Sequence, residues 1–224
     1  MRLWKLPHKF DHHFLAGDWG DNHPEAWLWF FIDTASKLIY IDNEFTKSGM
    51  TLDEVCGGIK VRCGDRIPEY GVIDPSANKK DRVSQRKMID EYNRCFKELG
   101  GQWEWFGVRP GDRSERGYEI TKRYFKKGMI KIHPRCKNLI YQLETVTRED
   151  KVGDDVVHAL RYGCVNAHDS FYGMNVMSEE QEFDVEKLEK ESGARILSLY
   201  DKRLFPNREM RDSQDLSWVF DEAV

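Results

Sequence analysis

No stretch of this 224-residue chain approaches the roughly 20 consecutive apolar residues of a membrane span, and its first residues, Met-Arg-Leu-Trp-Lys-Leu-Pro-His, lack the apolar core of a signal peptide. Cysteine is scarce and unpatterned. The five residues Cys56, Cys63, Cys95, Cys136 and Cys164 form an odd set without a C-x-x-C pair. This argues against a disulfide framework and a structural zinc site, and fits a reducing cytosol. No G-x-x-x-x-G-K-S/T occurs, so a P-loop nucleotide motor is not expected within this sequence. Internal repeats are also missing. What remains, 33% charged and 40% hydrophobic, is the composition of a soluble globular protein, most simply one domain with an appendage.

The net charge of −4 conceals an uneven distribution. From Lys79 to Lys131 there are 15 Lys/Arg against 8 Asp/Glu, whereas Glu179 to Val224 has 7 against 13. A basic middle beside an acidic end is compatible with a polyanion-facing surface on one part only, and equally with solvated helix faces.

Periodicity supplies the elements. Phe14 to Asp18, Ala26 to Ile32 and Leu38 to Phe45 read as strands joined by short polar turns, which implies an antiparallel meander. Thr51 to Arg62 is helical in pattern, with Thr51 and Glu54 in capping-box spacing. Tyr70 to Asp74, between Pro68 and Pro75, suits a buried central strand. A helix is expected over Asp81 to Leu99, stopped at Gly100-Gly101, and a strand over Trp103 to Val108. Further helices are expected from Ser114 or Glu115 to Lys127, from Cys136 to Thr145 and from Asp154 to Ala167, with a brief strand at Met129 to His133. A meander followed by alternating β and α units predicts an α/β fold, a mixed sheet flanked by helices. Composition turns acidic between Asn175 and Glu182, dividing a core domain (1–175) from an acidic C-terminal extension (176–224) with a candidate helix at Asp184 to Ser192.

Three segments carry carboxylates where chemistry needs them: Leu15-Ala-Gly-Asp-Trp-Gly20, Tyr70-Gly-Val-Ile-Asp-Pro75 and Gly153-Asp-Asp-Val-Val-His-Ala-Leu-Arg-Tyr162. In the first two, an apolar strand-type run ends on an aspartate followed by a turn residue. Aspartate is depleted inside strands, so Asp18 and Asp74 at strand ends call for a reason. Each could merely start a turn, and Asp154 and Asp155 could merely complement the positive end of a helix dipole. Brought together, they make an oxygen-rich pocket for hard divalent ions such as Mg²⁺ or Mn²⁺, and two ions about 4 Å apart are a common device for phosphodiester cleavage. His158 shares a helical face with both helix-start aspartates, as a ligand, orienter or proton shuttle, or as a satisfied core histidine.

In order and surroundings these segments resemble the nuclease domain of tailed-phage large terminases, over roughly Phe14 to Gly163. Supporting matches are Gly128-Met-Ile-Lys-Ile-His133, Cys136-Lys-Asn-Leu-Ile-Tyr-Gln-Leu-Glu144 and Lys151 ahead of Gly153. The resemblance implies a ribonuclease H-like fold and cleavage of double-stranded viral DNA during genome packaging with Mg²⁺ or Mn²⁺. It puts the metal-binding carboxylates at Asp18, Asp74 and Asp155, or its neighbour Asp154. Where relatives often carry an aspartate before Ala-Leu-Arg-Tyr this chain has His158, and where some carry a histidine it has Asp155. The resemblance also implies a terminase ATPase domain, a small terminase subunit and a portal as partners, in the host cytoplasm, with no membrane.

Lys79, Lys80, Arg82 and Arg86 follow the second aspartate and are candidate phosphate contacts, as are Arg109 and Arg113, with Arg116, in the next Gly/Arg-rich loop. No base-reading element is evident, so little sequence specificity is expected. Arg161 is expected to pack or pair structurally. Trp27, Trp29, Phe30 and Phe31 are expected in the core and on the sheet, and His12-His13 in a solvated N-terminal segment. Two rival readings stand beside the terminase nuclease: another ribonuclease H-like nuclease such as a junction resolvase or integrase-type recombinase, and a non-catalytic module docking to a portal or small terminase.

Overall fold

The computed structural model describes residues 6, 9–20, 24–80, 85–107, 115–145 and 155–172. Its centre is a six-stranded mixed sheet. Strands β1 (His12–Asp18), β2 (Glu25–Asp33) and β3 (Leu38–Lys47) form the antiparallel meander. Strands β4 (Tyr70–Ile73), β5 (Trp105–Gly107) and β6 (Ile130–Ile132) add to its two sides in parallel, giving the order β5-β4-β1-β2-β3-β6. Helices α1 (Leu52–Cys63) and α2 (Met88–Glu98) cover one face; α3 (Glu115–Lys126), α4 (Lys137–Thr145) and α5 (Asp155–Tyr172) cover the other. The expected mixed α/β sheet flanked by helices is therefore present.

Strand β2 explains why both faces are covered. Every residue from Ala26 to Ile32 is buried, so this central strand is apolar on both sides. Leu28 and Phe30 join Phe14, Ile39, Ile41 and Val72 beneath α3, α4 and α5. Trp27, Trp29 and Phe31 join Leu15, Trp103 and Trp105 beneath α1 and α2. The four aromatics of β2 are thus core residues, as their sequence context suggests. Among the described residues, no helix is long and apolar enough to cross a membrane.

Capping fixes where the helices begin. Thr51 and Glu54 form the reciprocal capping box at the start of α1. Glu44 of β3 accepts the backbone N–H groups of Asn138 and Leu139 at 2.8 and 2.9 Å, closing the N-terminus of α4. One helix further on, the Gln142 side chain of α4 accepts the N–H groups of Val156 and Val157 at 3.1 and 3.3 Å. The start of α5 is thereby tied, through α4, to the sheet.

Several boundaries differ from the sequence pattern. Helix α2 begins at Met88, not near Asp81: Gln85 has φ 59°, Lys87 is extended, and Lys80 pairs with Lys87. A left-handed residue interrupts any helix there. Strand β5 is reduced to Trp105–Gly107, and α5 continues to Tyr172 because Phe171 packs against Tyr124 and His168 against Tyr172. The expectation of a solvated segment at His12-His13 is overturned. Both belong to β1, and His13 is buried with its ring stacked on Phe31 at 3.9 Å. The proposed acidic extension and its helix lie outside the described residues.

Candidate metal centre

Sheet pairing brings two of the sequence-selected carboxylates side by side. Strand β1 runs parallel to β4 with Gly17 beside Ile73, so Asp18 and Asp74 follow at the same C-terminal edge of neighbouring strands. Alternation along each strand turns both toward the α5 face, with Ala16 and Val72 on the same side behind them. Asp18 is 8% exposed and Asp74 2%.

Helix α5 can reach this edge because it lies unusually close to the sheet. A Cβ on Gly163 would sit 2.0 Å from the Phe30 ring, so only glycine permits this approach. Two side chains of α5 then meet the aspartates. His158 Nδ1 is 3.3 Å from Asp18 Oδ2, and the Tyr162 hydroxyl donates to Asp74 Oδ2 at 2.5 Å. The other Asp74 oxygen accepts the backbone N–H of Ser76, at the start of the short 3-10 helix Pro75–Asn78. Asp74 therefore does start a turn, and faces α5 as well. Trp19 donates its indole N–H to Ser76 Oγ at 3.1 Å, holding the segment after β1 against this turn.

Burial holds the Asp18 carboxyl above the ordinary carboxylate range; the His158 hydrogen bond and charge work against that shift, the nearby Asp74 charge adds to it and Arg161 counters it. Removing carboxylates from water and setting them together is costly unless positive charge is supplied. Arg161 supplies part of it. The residue is 3% exposed; its guanidinium lies 4.3 Å from the Tyr118 ring and 5.2 Å from the Tyr162 ring, and donates to the Tyr162 oxygen at 3.4 Å. It packs, as its sequence context suggests, and its charge also reaches the carboxylates.

Asp155 is the first residue of α5, one turn ahead of His158. Among the described residues, no three His, Cys, Asp or Glu side chains are grouped so as to hold a metal ion. Asp18 and Asp74 share this edge with His158 against Asp18, and Asp155 heads the same helix one turn earlier; Asp154 lies outside the described residues. As chemistry, two hard oxygen donors at one sheet edge suit Mg²⁺ or Mn²⁺.

Of the candidate phosphate contacts, Lys79 and Lys80 are exposed directly after the turn that Asp74 starts. Arg86 is paired with Glu91 at 3.1 Å, and Arg116 stands 3.9 Å from Asp169. Arg82, Arg109 and Arg113 lie outside the described residues. Sequence reasoning missed Tyr162. Asp155, His158 and Tyr162 do fall at i, i+3 and i+7, one stripe of a helix, but a buried tyrosine there reads as packing until its partner is known.

No family model and no curated protein matches the chain. Solved structures do. The nuclease domain of the P22 large terminase superposes with a TM-score of 0.60 at 19% identity, over 76% of this chain and 87% of that domain. The large terminase of a thermophilic bacteriophage gives 0.56 at 15% identity, over 72% of this chain and 40% of that one. The bacteriophage SPP1 large terminase nuclease domain with bound Mn gives 0.50 at 19% identity, over 70% and 88%. The chain has the fold of large terminase nuclease domains, and spans 40% of the length of the thermophilic phage's large terminase.

Proposed function

We propose that this chain is a divalent-metal-dependent endonuclease that cuts double-stranded viral DNA during genome packaging, the nuclease part of a large terminase. The observation that carries the reading is the pair Asp18 and Asp74, buried side by side at the ends of β1 and β4 within that fold. The SPP1 domain, similar in fold, binds Mn.

In this reading Asp18 and Asp74, together with Asp155 helped by Asp154, would hold two divalent ions. Bound Mg²⁺ or Mn²⁺ would lower the pKa of an attacking water and stabilise the charged transition state and the leaving 3′ oxygen. His158, in contact with Asp18, orients that carboxylate and is within reach to move a proton toward the leaving oxygen. Lys79, Lys80, Arg82 and Arg86, with Arg109 and Arg113, contact the phosphate backbone without reading bases. The ATPase domain, small subunit and portal are the proposed partners, in the host cytoplasm, and residues 176–224 a separate acidic extension.

One observation favours a second reading. Among the described residues no three His, Cys, Asp or Glu side chains are grouped to hold a metal ion, as in a module that keeps the fold and docks to a packaging partner without cutting DNA. Nicking of supercoiled plasmid separates the two. The nuclease reading expects cleavage that requires Mg²⁺ or Mn²⁺ and stops on chelation; no cleavage with either ion, or cleavage indifferent to chelation, overturns it.

A further inference from the structure

The Asp74 carboxylate is gripped from both sides. Its Oδ1 accepts the Ser76 backbone N–H and its Oδ2 accepts the Tyr162 hydroxyl. Tyr162 is fully buried, and its own oxygen in turn accepts an N–H of Arg161 at 3.4 Å. A tyrosine hydroxyl has one proton to give. With Arg161 donating to its oxygen, that proton is directed at Asp74, and a donor already polarised by a cation makes the stronger bond. Arg161 is held in place, because the residue is buried and its guanidinium lies against the Tyr118 ring. Its Nε has no hydrogen-bond partner among the described residues, a cost that a purely packing arginine need not carry. Two donors on opposite oxygens fix the plane of a carboxylate and leave its remaining lone pairs aimed in set directions.

We propose that Tyr162 is a positioning residue, held by Arg161, that orients the Asp74 carboxylate for a divalent cation. The inference rests on the nuclease reading above and adds the residue that tunes its metal affinity. Groups that hydrogen-bond a metal ligand commonly change affinity or activity by about 10- to 100-fold when removed.

The test is Tyr162→Phe, which deletes one hydroxyl and keeps the ring. Mn²⁺ binding is measured by titration calorimetry and by the rise in Tm on adding Mn²⁺, alongside plasmid nicking across a Mn²⁺ series. The expected result is an affinity weakened by about 10- to 100-fold, with nicking recovering to within a few-fold of wild type at saturating Mn²⁺. An unchanged Mn²⁺ affinity overturns the proposal, whatever happens to the rate, because a merely structural tyrosine would lower Tm without moving the metal titration. Should Tyr162→Phe not fold, Arg161→Lys decides: it keeps the charge and loses the fork over the two rings, and a Mn²⁺ affinity equal to wild type overturns the proposal. Wild-type protein that binds no Mn²⁺ overturns the nuclease reading together with this inference, whereas wild-type binding with unaltered variants overturns this inference alone.

Discussion

At the scale of single residues, the carboxylates stand in conflict with their surroundings. Asp18 is 8% exposed, and burial holds its carboxyl above the usual range; Asp74 is 2% exposed beside it. At Asp18 folding alone would favour a neutral group, and sites retained against stability are often functional. Asp18→Asn should therefore leave Tm in metal-free buffer unchanged or higher, whereas Asp74→Asn sets an amide NH₂ against one of its two donors and should lower Tm. In both, metal-dependent nicking should fall by about 10³-fold or more. Asp155→Asn, at the start of α5, should lose nicking similarly. Thermal unfolding and single-turnover cleavage check both halves, and three variants cutting at wild-type rates would mean that the ligands are misassigned. These aspartates were legible because an acid at the end of an apolar run breaks the strand pattern. Tyr162 was not, because a buried tyrosine in an apolar helix looks like ordinary packing until its partner on β4 is known.

At the scale of elements, local signals were read well and long-range ones were not. The capping box at Thr51 and the antiparallel meander of β1 to β3, joined by short turns, depend on neighbours in sequence, and both are present. The strand order β5-β4-β1-β2-β3-β6 depends on crossovers whose partners lie dozens of residues apart, which periodicity does not encode. Helix α2 illustrates the limit differently. Val83 extends the apolar period upstream, yet the positive φ of Gln85 makes a break that no hydrophobic pattern announces. The last turn of α5 exists through tertiary contact, Phe171 against Tyr124. The site depends above all on how closely α5 approaches the sheet. Gly163→Ala would push a methyl into the Phe30 ring, which is itself stacked on Phe14 at 5.1 Å and fully buried. Overpacking of this kind costs about 1–3 kcal/mol. A drop in denaturation midpoint should be accompanied by a larger loss of nicking than of stability, since His158 and Tyr162 ride on the same helix. Full activity in a destabilised protein would show that the helix position is not critical.

At the scale of the whole molecule, two histidines drawn partly or wholly out of water should weaken the fold in acid. Burial against Phe31 depresses His13 to about 4, with the Arg66 charge adding to the effect, and burial depresses His168 to about 4, helped by Arg116 and Arg123. Both folded values lie below the unfolded value of about 6.5, so the unfolded chain binds more protons between them. Stability from this source is complete above about pH 6.5 and declines as pH falls toward 4. Buried Asp18 and half-buried Glu25, whose carboxyls are raised, act in the opposite sense. His13→Phe isolates one contribution. It should flatten the loss between pH 6.5 and 4 by about 1–3 kcal/mol in urea titrations, because the titrating ring is gone; His13 Nε2 has no hydrogen-bond partner among the described residues, and the bond to the Ile67 backbone is the one lost. An unchanged pH profile would show that His13 does not govern acid unfolding.

Charge is the other property that only the whole chain reveals. A net charge of −4 would repel a polyanion, yet the balance from Lys79 to Lys131 is strongly positive while that from Glu179 to Val224 is strongly negative. If DNA lies over Asp18 and Asp74, the first basic side chains it meets are Lys79 and Lys80, exposed at the end of the turn that Asp74 begins. Arg86 is already engaged with Glu91 and should contribute less. Reversing both lysines to glutamate should weaken binding to all duplex sequences alike, and should flatten the slope of log K against log salt by about 0.9 for each lost phosphate contact. Arg86→Glu should change that slope by a smaller amount. Fluorescence anisotropy with a short duplex at several salt concentrations measures both quantities. Equal slopes for wild type and the double reversal would put the DNA on another face, and would separate the basic surface from the carboxylate pair it is proposed to serve.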